Sequence, residues 1–196
     1  MDELLFFRKN AIESGLCKEW NDKWTACNGN KERLMELVLM QQSAPYFADF
    51  CYRNLGLTPA YCKRNFGEYI NGNKTFIDCD NTYGYTYAMY VEPDTTEPLT
   101  ITNDVLQLLW CRDLTAILPM CRATKLYVSN KSNVTISGDG YNTIIVMLFD
   151  ESKVTLDNID DTSRVIVYRY SPNASVELGK FFICHKFQLH DKELKL

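Results

Sequence analysis

Histidine is scarce in this chain, and the signals of catalytic and membrane proteins are missing. Only His185 and His190 occur among the 196 residues. His185 directly follows Cys184, and neighbours on a strand point to opposite faces, so this pair is a poor nucleophile and base. No apolar run approaches the roughly 18 residues that a membrane-spanning helix needs. The sequence therefore predicts neither a Cys–His catalytic site nor a membrane protein.

Motifs for phosphates and metals are also missing. The Lys-Ser or Lys-Thr of a phosphate-binding loop does not follow Gly138-Asp139-Gly140. Asp78 and Asp80 flank Cys79 without a third ligand at a recognisable spacing. The acidic corner at 157–161 does not match an EF-hand loop. We expect no cofactor and no metal, and the missing catalytic constellation favours a non-enzymatic protein.

The first residues and the cysteines indicate in which cellular compartment the protein is expected. Met1-Asp2-Glu3-Leu4 is acidic where a secretory signal would be basic, so we expect a cytoplasmic protein. Eight cysteines are present, but none forms a Cys-x-x-Cys pair. Disulfides are rare in the cytoplasm, and most of these cysteines sit in apolar patterns. We expect free and mostly buried thiols.

A sequence repeat is the main feature that the chain does possess. The segment 132–136 returns at 152–156 and at 174–178, so that its valines, Val134, Val154 and Val176, are 20 and 22 positions apart. In each copy two apolar residues flank a polar one, as in a strand with one buried face. Apolar strands lie between the copies, and the run at 144–148 is expected to be buried on both faces.

Two architectures fit this repeat. A β-solenoid stacks turns of roughly 20 residues, and it explains why the signature returns at the same phase. An antiparallel β-meander or sandwich is the alternative, since it also contains short strands at regular spacing. We favour the solenoid, with an irregular first turn that includes 99–102 and 105–111 and a last strand at 181–187.

The N-terminal third predicts short helices. Apolar periodicity and stop signals indicate helices at 2–14, 17–27, 31–42, 43–56 and 58–67, the last with a proline in its first turn. The predicted fold class is therefore α+β. Its predicted parts are a helical bundle (1–67), a tyrosine-rich connection with a linker (68–97) and a solenoid-like β-repeat domain (98–196).

The connection supplies one candidate binding surface. Aromatic side chains at a boundary suit a patch that binds a protein or a sugar. A seam between domains is the alternative, because tyrosine covers apolar area there while its hydroxyl stays hydrated. The candidate residues are Tyr69, Tyr83, Tyr85, Tyr87 and Tyr90.

Two other functions remain open as alternatives. Helices that meet near Gly56 could form a helix-turn-helix, with Arg53, Lys63 and Arg64 as the positive charges of a DNA-associated regulator. The net charge of −4 argues against a general nucleic-acid binder. A small hydrolase with a site at the domain seam is the second alternative.

The chain is similar to small uncharacterised proteins of gut bacteria and their phages, in which helices precede a short β-repeat tail. The phrase Phe66-Gly67-Glu68-Tyr69-Ile70-Asn71-Gly72 carries this likeness. The resemblance implies no activity, and it points to a phage or mobile-element accessory protein. The leading hypothesis is a protein-interaction or structural module whose stacked β part is a rigid platform, bound by a protein partner or by another copy of the chain.

Overall fold

The computed structural model describes residues 3–39, 57–78, 84–95 and 97–193, which form helices and a β-solenoid of about five turns. The helices are α1 (Glu3–Glu13), α2 (Lys18–Ala26), α3 (Lys31–Leu39) and α4 (Pro59–Phe66), followed by a 3₁₀ turn (Gly67–Tyr69). The first strands are β1 (Phe76–Ile77), β2 (Thr86–Val91), β3 (Leu99–Thr100), β4 (Val105–Leu109), β5 (Leu114–Leu118) and β6 (Ala123–Ser129). The later strands are β7 (Asn133–Gly138), β8 (Thr143–Leu148), β9 (Lys153–Ile159), β10 (Arg164–Arg169), β11 (Ser175–Leu178) and β12 (Lys186–Asp191).

The strands form two sheets that alternate along the chain. Sheet A has the order β1-β2-β4-β6-β8-β10-β12, and sheet B has the order β11-β9-β7-β5-β3. Pairing is parallel from β2 to β12 in sheet A and throughout sheet B. Parallel pairing between strands one turn apart is the defining feature of a solenoid. The predicted solenoid is therefore confirmed, and the antiparallel meander or sandwich is wrong for these residues.

Identical positions of successive turns stack into columns that fill the core. Sheet A contributes the column Leu106, Leu126, Val146 and Val167. Sheet B contributes the column Ala116, Ile136 and Leu156, and every residue of both columns is 0% exposed. The repeat spacing of the sequence determines this register, because a slip of one residue would turn each apolar side chain towards solvent.

The outward face of sheet A is partly covered. In β8 the inward side chains are buried, whereas the outward Ile145 and Met147 are only half-buried. The expectation that 144–148 is buried on both faces is therefore wrong at the outward positions. The outward side chains of sheet B are mostly polar, and Thr115, Thr135 and Thr155 form one such column.

The described helices lie against sheet A and share a core with it. Phe7, Met35 and Tyr61 belong to the same buried cluster as Met89 and Tyr127 of the sheet. The amide of Gln107 also donates a hydrogen bond to the carbonyl of Val38 at 3.0 Å. None of the described helices is long and apolar enough to cross a membrane.

Local capping explains where α4 begins. The backbone N–H of Tyr61 donates to the hydroxyl of Thr58 at 3.1 Å, and Pro59 occupies the first turn as predicted. The helix predicted at 43–56 lies outside the described residues. At the other end of the chain, the last strand is β12 and not the predicted 181–187, because Lys186–Asp191 is the segment that pairs with β10.

Candidate functional site

The N-terminal end of sheet A is closed. Strand β1 pairs antiparallel with the first part of β2, which interrupts the parallel stacking. Asn71 closes the rest of that edge, because its side-chain amide accepts a bond from the backbone N–H of Val91 at 2.7 Å and donates to its carbonyl at 3.1 Å. Antiparallel pairing and helices are typical of a solenoid cap.

In the described part of the chain, the last turn of the solenoid has no strand stacked on it, and it is called the open turn below. Strand β12 is the last strand of sheet A and β11 is the last strand of sheet B, so both sheets end at the same turn. Among the described residues, β12 pairs with β10 on one side only, and β11 pairs with β9 on one side only. Each strand therefore carries an edge at which another strand can pair.

The last turn places core positions in solvent. Leu178 continues the column of Leu156 and is 53% exposed. Leu189 continues the column of Val167 and is 44% exposed. Phe181 and Ile183 are exposed beside them. These side chains are uncovered because no described strand stacks on them, although the same columns are fully buried one turn earlier.

Aromatic packing and ion pairs hold the open turn together, and one of the ion pairs joins Glu177 of β11 to Lys153 of β9 at 2.8 Å. Phe182 and Phe187 pack edge to face with their centroids 5.6 Å apart, and both are partly buried against the solenoid core. The guanidinium of Arg169 donates to the carboxylate of Asp191 at 2.7 Å and ties β12 to β10. The pKa of the Asp191 carboxyl is lowered, first by this hydrogen bond. The open turn is thus an ordered surface in the described part of the chain.

Polar side chains at the corners bind the turn before them. Asp150 is buried and accepts bonds from the backbone N–H groups of Asn130 and Lys131, which both have positive φ angles. It also accepts a hydrogen bond from the hydroxyl of Ser152 at 3.0 Å. Burial raises the pKa of Asp150 above its ordinary value of 3.8, against the lowering effect of these bonds.

Side-chain hydrogen bonds to the backbone of the preceding turn recur at other corners. The side chain of Asn142 accepts the backbone N–H of Arg122 at 2.8 Å, 20 residues earlier. The hydroxyl of Ser132 accepts the N–H of Cys111 at 3.0 Å, 21 residues earlier. These spacings equal one turn, so the corner residues join successive turns and stabilise their stacking. This arrangement gives the solenoid a fixed shape.

The candidate tyrosines are divided between the two sides of β2. Tyr87 is buried in the cluster shared with the helices, and its hydroxyl donates to Asp78 at 3.2 Å. Burial is the main cause that raises its pKa to about 12. Tyr90 points the other way and packs against the solenoid core. Tyr85 is exposed and Tyr69 is half-buried, while Tyr83 lies outside the described residues.

The candidate basic residues do not gather into one described patch. The ammonium of Lys63 pairs with Glu92 at 3.4 Å and with Asp94 at 3.5 Å. Arg64 is the next residue on α4 and is exposed, whereas Arg53 lies outside the described residues. Two acidic partners neutralise much of the charge that Lys63 brings to this surface.

The described cysteines and acidic residues form no reactive cluster. Cys27, Cys62, Cys111 and Cys184 are buried free thiols, and burial raises the pKa of Cys62 and of Cys111 to about 12. Such thiols are poor nucleophiles because the thiolate is disfavoured. Within the described ranges, no three His, Cys, Asp or Glu residues lie close enough to hold a metal ion. The prediction of free, mostly buried thiols is confirmed for the described cysteines.

The sequence predicted that exposed end turns of a solenoid need a cap or a partner. The residues of the open turn were not among the predicted site residues, and the last strand was predicted too early, at 181–187 instead of Lys186–Asp191. The signal was present, since Phe187 and Leu189 alternate with polar Lys186, Gln188 and His190 in a period of two. Comparison of this chain with protein-family models, with curated proteins and with solved structures finds no match in any of the three.

Proposed function

We propose that this protein is a non-enzymatic structural and protein-interaction module that associates through the C-terminal end of its solenoid. The observation that supports this proposal is the exposure of core positions in the last turn, where Leu178 and Leu189 continue fully buried columns. The two free strand edges beside them offer backbone groups in a regular row. Solenoids bury such ends under caps or partners.

Burial of the exposed apolar side chains would stabilise a complex formed at this end. Full burial of one leucine side chain contributes about 1.5–3 kcal/mol, and several large apolar side chains are exposed in this turn. The exposed apolar side chains nevertheless belong to a single turn, whereas standard protein–protein interfaces bury about 1,200–2,000 Å². We therefore expect association that depends on protein concentration across the micromolar range.

The test is the mass of the intact chain in solution, measured by sedimentation over a wide concentration series. The variant Leu189→Lys places a charge among the exposed core positions and lets its ammonium reach solvent, so it blocks association without a large loss of stability. The matched control is Ile77→Lys, because Ile77 is 62% exposed on β1 at the closed end of the same sheet. Circular dichroism checks that both variants fold.

The expected result is an assembly for the unmodified chain and for Ile77→Lys, and a monomer for Leu189→Lys. A monomer of the unmodified chain at several hundred micromolar contradicts the proposal. An assembly that survives Leu189→Lys but is lost in Ile77→Lys also contradicts it, because association then uses the other end.

A further inference from the structure

We infer that the partner of the open turn is a second copy of this chain, bound tail to tail by antiparallel pairing of β12 with β12. This inference rests on the proposed function, and it adds the identity of the partner and the register of the contact. The backbone groups of β12, the order of its side chains and the difference between the two ends of the solenoid support this dimer.

Every second residue of β12 directs its backbone N–H and C=O groups towards the open edge, where a new strand can pair. The N–H of Lys192 donates to the carbonyl of Arg169 at 2.9 Å, so even-numbered positions direct their backbone groups towards β10. In a parallel ladder the direction alternates along the strand. Phe187 and Leu189 therefore direct their N–H and C=O groups towards the open edge, and these two residues also carry the inward apolar side chains.

The side chains of β12 are self-complementary in one antiparallel register. With Gln188 on the two-fold axis, Phe187 lies opposite Leu189 of the second copy, and the same pair forms again on the other side of the axis. Each of these two pairs exchanges two backbone hydrogen bonds through the edge groups described above. Apolar residues directly opposite each other on one face stabilise an antiparallel pair.

The neighbouring register is less favourable. A shift that puts Leu189 on the axis places Lys186 opposite Lys192 of the second copy, and like charges directly opposite each other are destabilising. That shift also places Phe187 opposite Asp191, which removes an apolar pair. The order of charges along β12 therefore favours the register centred on Gln188 over the register centred on Leu189.

The geometry of the whole end favours a second copy over a single added strand. Strands β11 and β12 end their sheets in the same turn, so a two-fold rotation perpendicular to the sheets pairs both edges at once. A lone strand from another protein covers one edge and leaves the other open. At the opposite end of sheet A the parallel stacking is interrupted by antiparallel β1 and by the bonds of Asn71. A two-fold contact uses the same patch of both copies, so this pairing stops at a dimer and does not continue into a fibre.

The test is a disulfide across the two-fold axis in the intact chain. Gln188→Cys puts a thiol opposite its own copy in a non-hydrogen-bonded pair, where the Cα atoms are about 4.5 Å apart and within disulfide range. The matched control is His190→Cys, two residues further along the same exposed face. In this register the two copies of residue 190 are four residues apart, about 13 Å along the strand, and do not bridge.

Under mild oxidation we expect a covalent dimer in Gln188→Cys and only the background of the unmodified chain in His190→Cys. The unmodified chain sets this background because Cys17 and Cys121 are exposed thiols. Reduction returns the mass of Gln188→Cys to that of the unmodified chain, and circular dichroism confirms its fold.

The outcomes separate the inference from the proposed function. If the chain assembles and Leu189→Lys abolishes assembly, but Gln188→Cys gives only background, this dimer is overturned while the interaction module stands. Equal cross-linking of both cysteine variants also overturns the register. A chain that stays monomeric at all concentrations overturns the inference and the proposed function together.

Discussion

At the scale of single residues, the solenoid depends on polar side chains that bind the backbone of the turn before them. Asp150 is the most buried of the acidic examples, with bonds to Asn130, Lys131 and Ser152. Asn130 and Lys131 occupy the left-handed region, so their N–H groups do not join a ladder of regular strand pairs. The side chain of Asp150 therefore replaces the missing backbone partner.

We predict that Asp150→Ala lowers the free energy of unfolding by about 1–3 kcal/mol, because it leaves backbone donors of this corner unpaired. Denaturant unfolding at several pH values measures the loss. The matched control is Asp161→Ala, an exposed aspartate at a neighbouring corner, for which we expect little change.

The loss should also depend on pH in a defined direction. Burial raises the pKa of Asp150 in the folded chain above 3.8, so the folded state holds this proton more tightly than the unfolded state. The pH-dependent part of the contribution of Asp150 to stability is therefore complete below its unfolded pKa and is lost as the pH rises through the folded pKa. The part that comes from its hydrogen bonds to Asn130 and Lys131 remains at higher pH. The difference in unfolding free energy between the unmodified chain and Asp150→Ala should shrink across that window, and a difference that grows contradicts the assignment.

At the scale of elements, the strands are stabilised by stacking in columns more than by their own composition. Leu156 and Leu178 occupy the same column in adjacent strands of sheet B, yet the first is fully buried and the second is 53% exposed. Along the stack, Leu156 lies between β7 and β11, whereas Leu178 has β9 on one side and no described strand on the other. The side chains at the end of a stack are therefore apolar, as in the core, although they are exposed to solvent.

This pair of leucines gives a matched comparison. We predict that Leu156→Ala lowers the free energy of unfolding by about 2–5 kcal/mol, the usual range for a buried leucine. We expect Leu178→Ala to cost less than about 1 kcal/mol, because half of its side chain is already in water. Denaturant unfolding in dilute protein, where self-association is negligible, measures both; equal losses would contradict the open end.

At the scale of the whole molecule, the described helices and sheet A share one buried cluster. Phe7 of α1 packs on Trp24 of α2 with ring centroids 5.2 Å apart, and both contact the cluster that contains Met89 of β2. A helical part that folded independently would have a buried core made of helix residues alone. The shared cluster predicts that helices and solenoid unfold in one cooperative transition.

Two probes test this cooperativity. In a Trp110→Phe background, Trp20 and Trp24 report on the helices, while hydrogen exchange of the strand amides, followed over the same denaturant series, reports on the sheets. We expect the two denaturation curves to coincide. We also expect Met89→Ala, at a buried position of β2, to shift both curves by the same amount. Loss of the tryptophan signal at lower denaturant than the sheet signal contradicts a shared core.

Local patterns in the sequence determined the β-solenoid. The period of two in each copy identified the inward side chains, and the spacing of Val134, Val154 and Val176 identified which strands stack. Thr58 and Pro59 likewise identified the beginning of α4. These features were predictable because each one depends on residues that are close in sequence or repeated at equal intervals.

The tertiary structure alone decided which end of the stack is open and where the helices lie. Asn71 closes the edge of β2 from 20 residues away, and Tyr87 and Tyr90 face opposite sides of that strand. The candidate site also depended on the pairing of β12 with β10, which moved the last strand to Lys186–Asp191. Such contacts join distant residues without a repeating interval, so their geometry exists only after the turns have stacked.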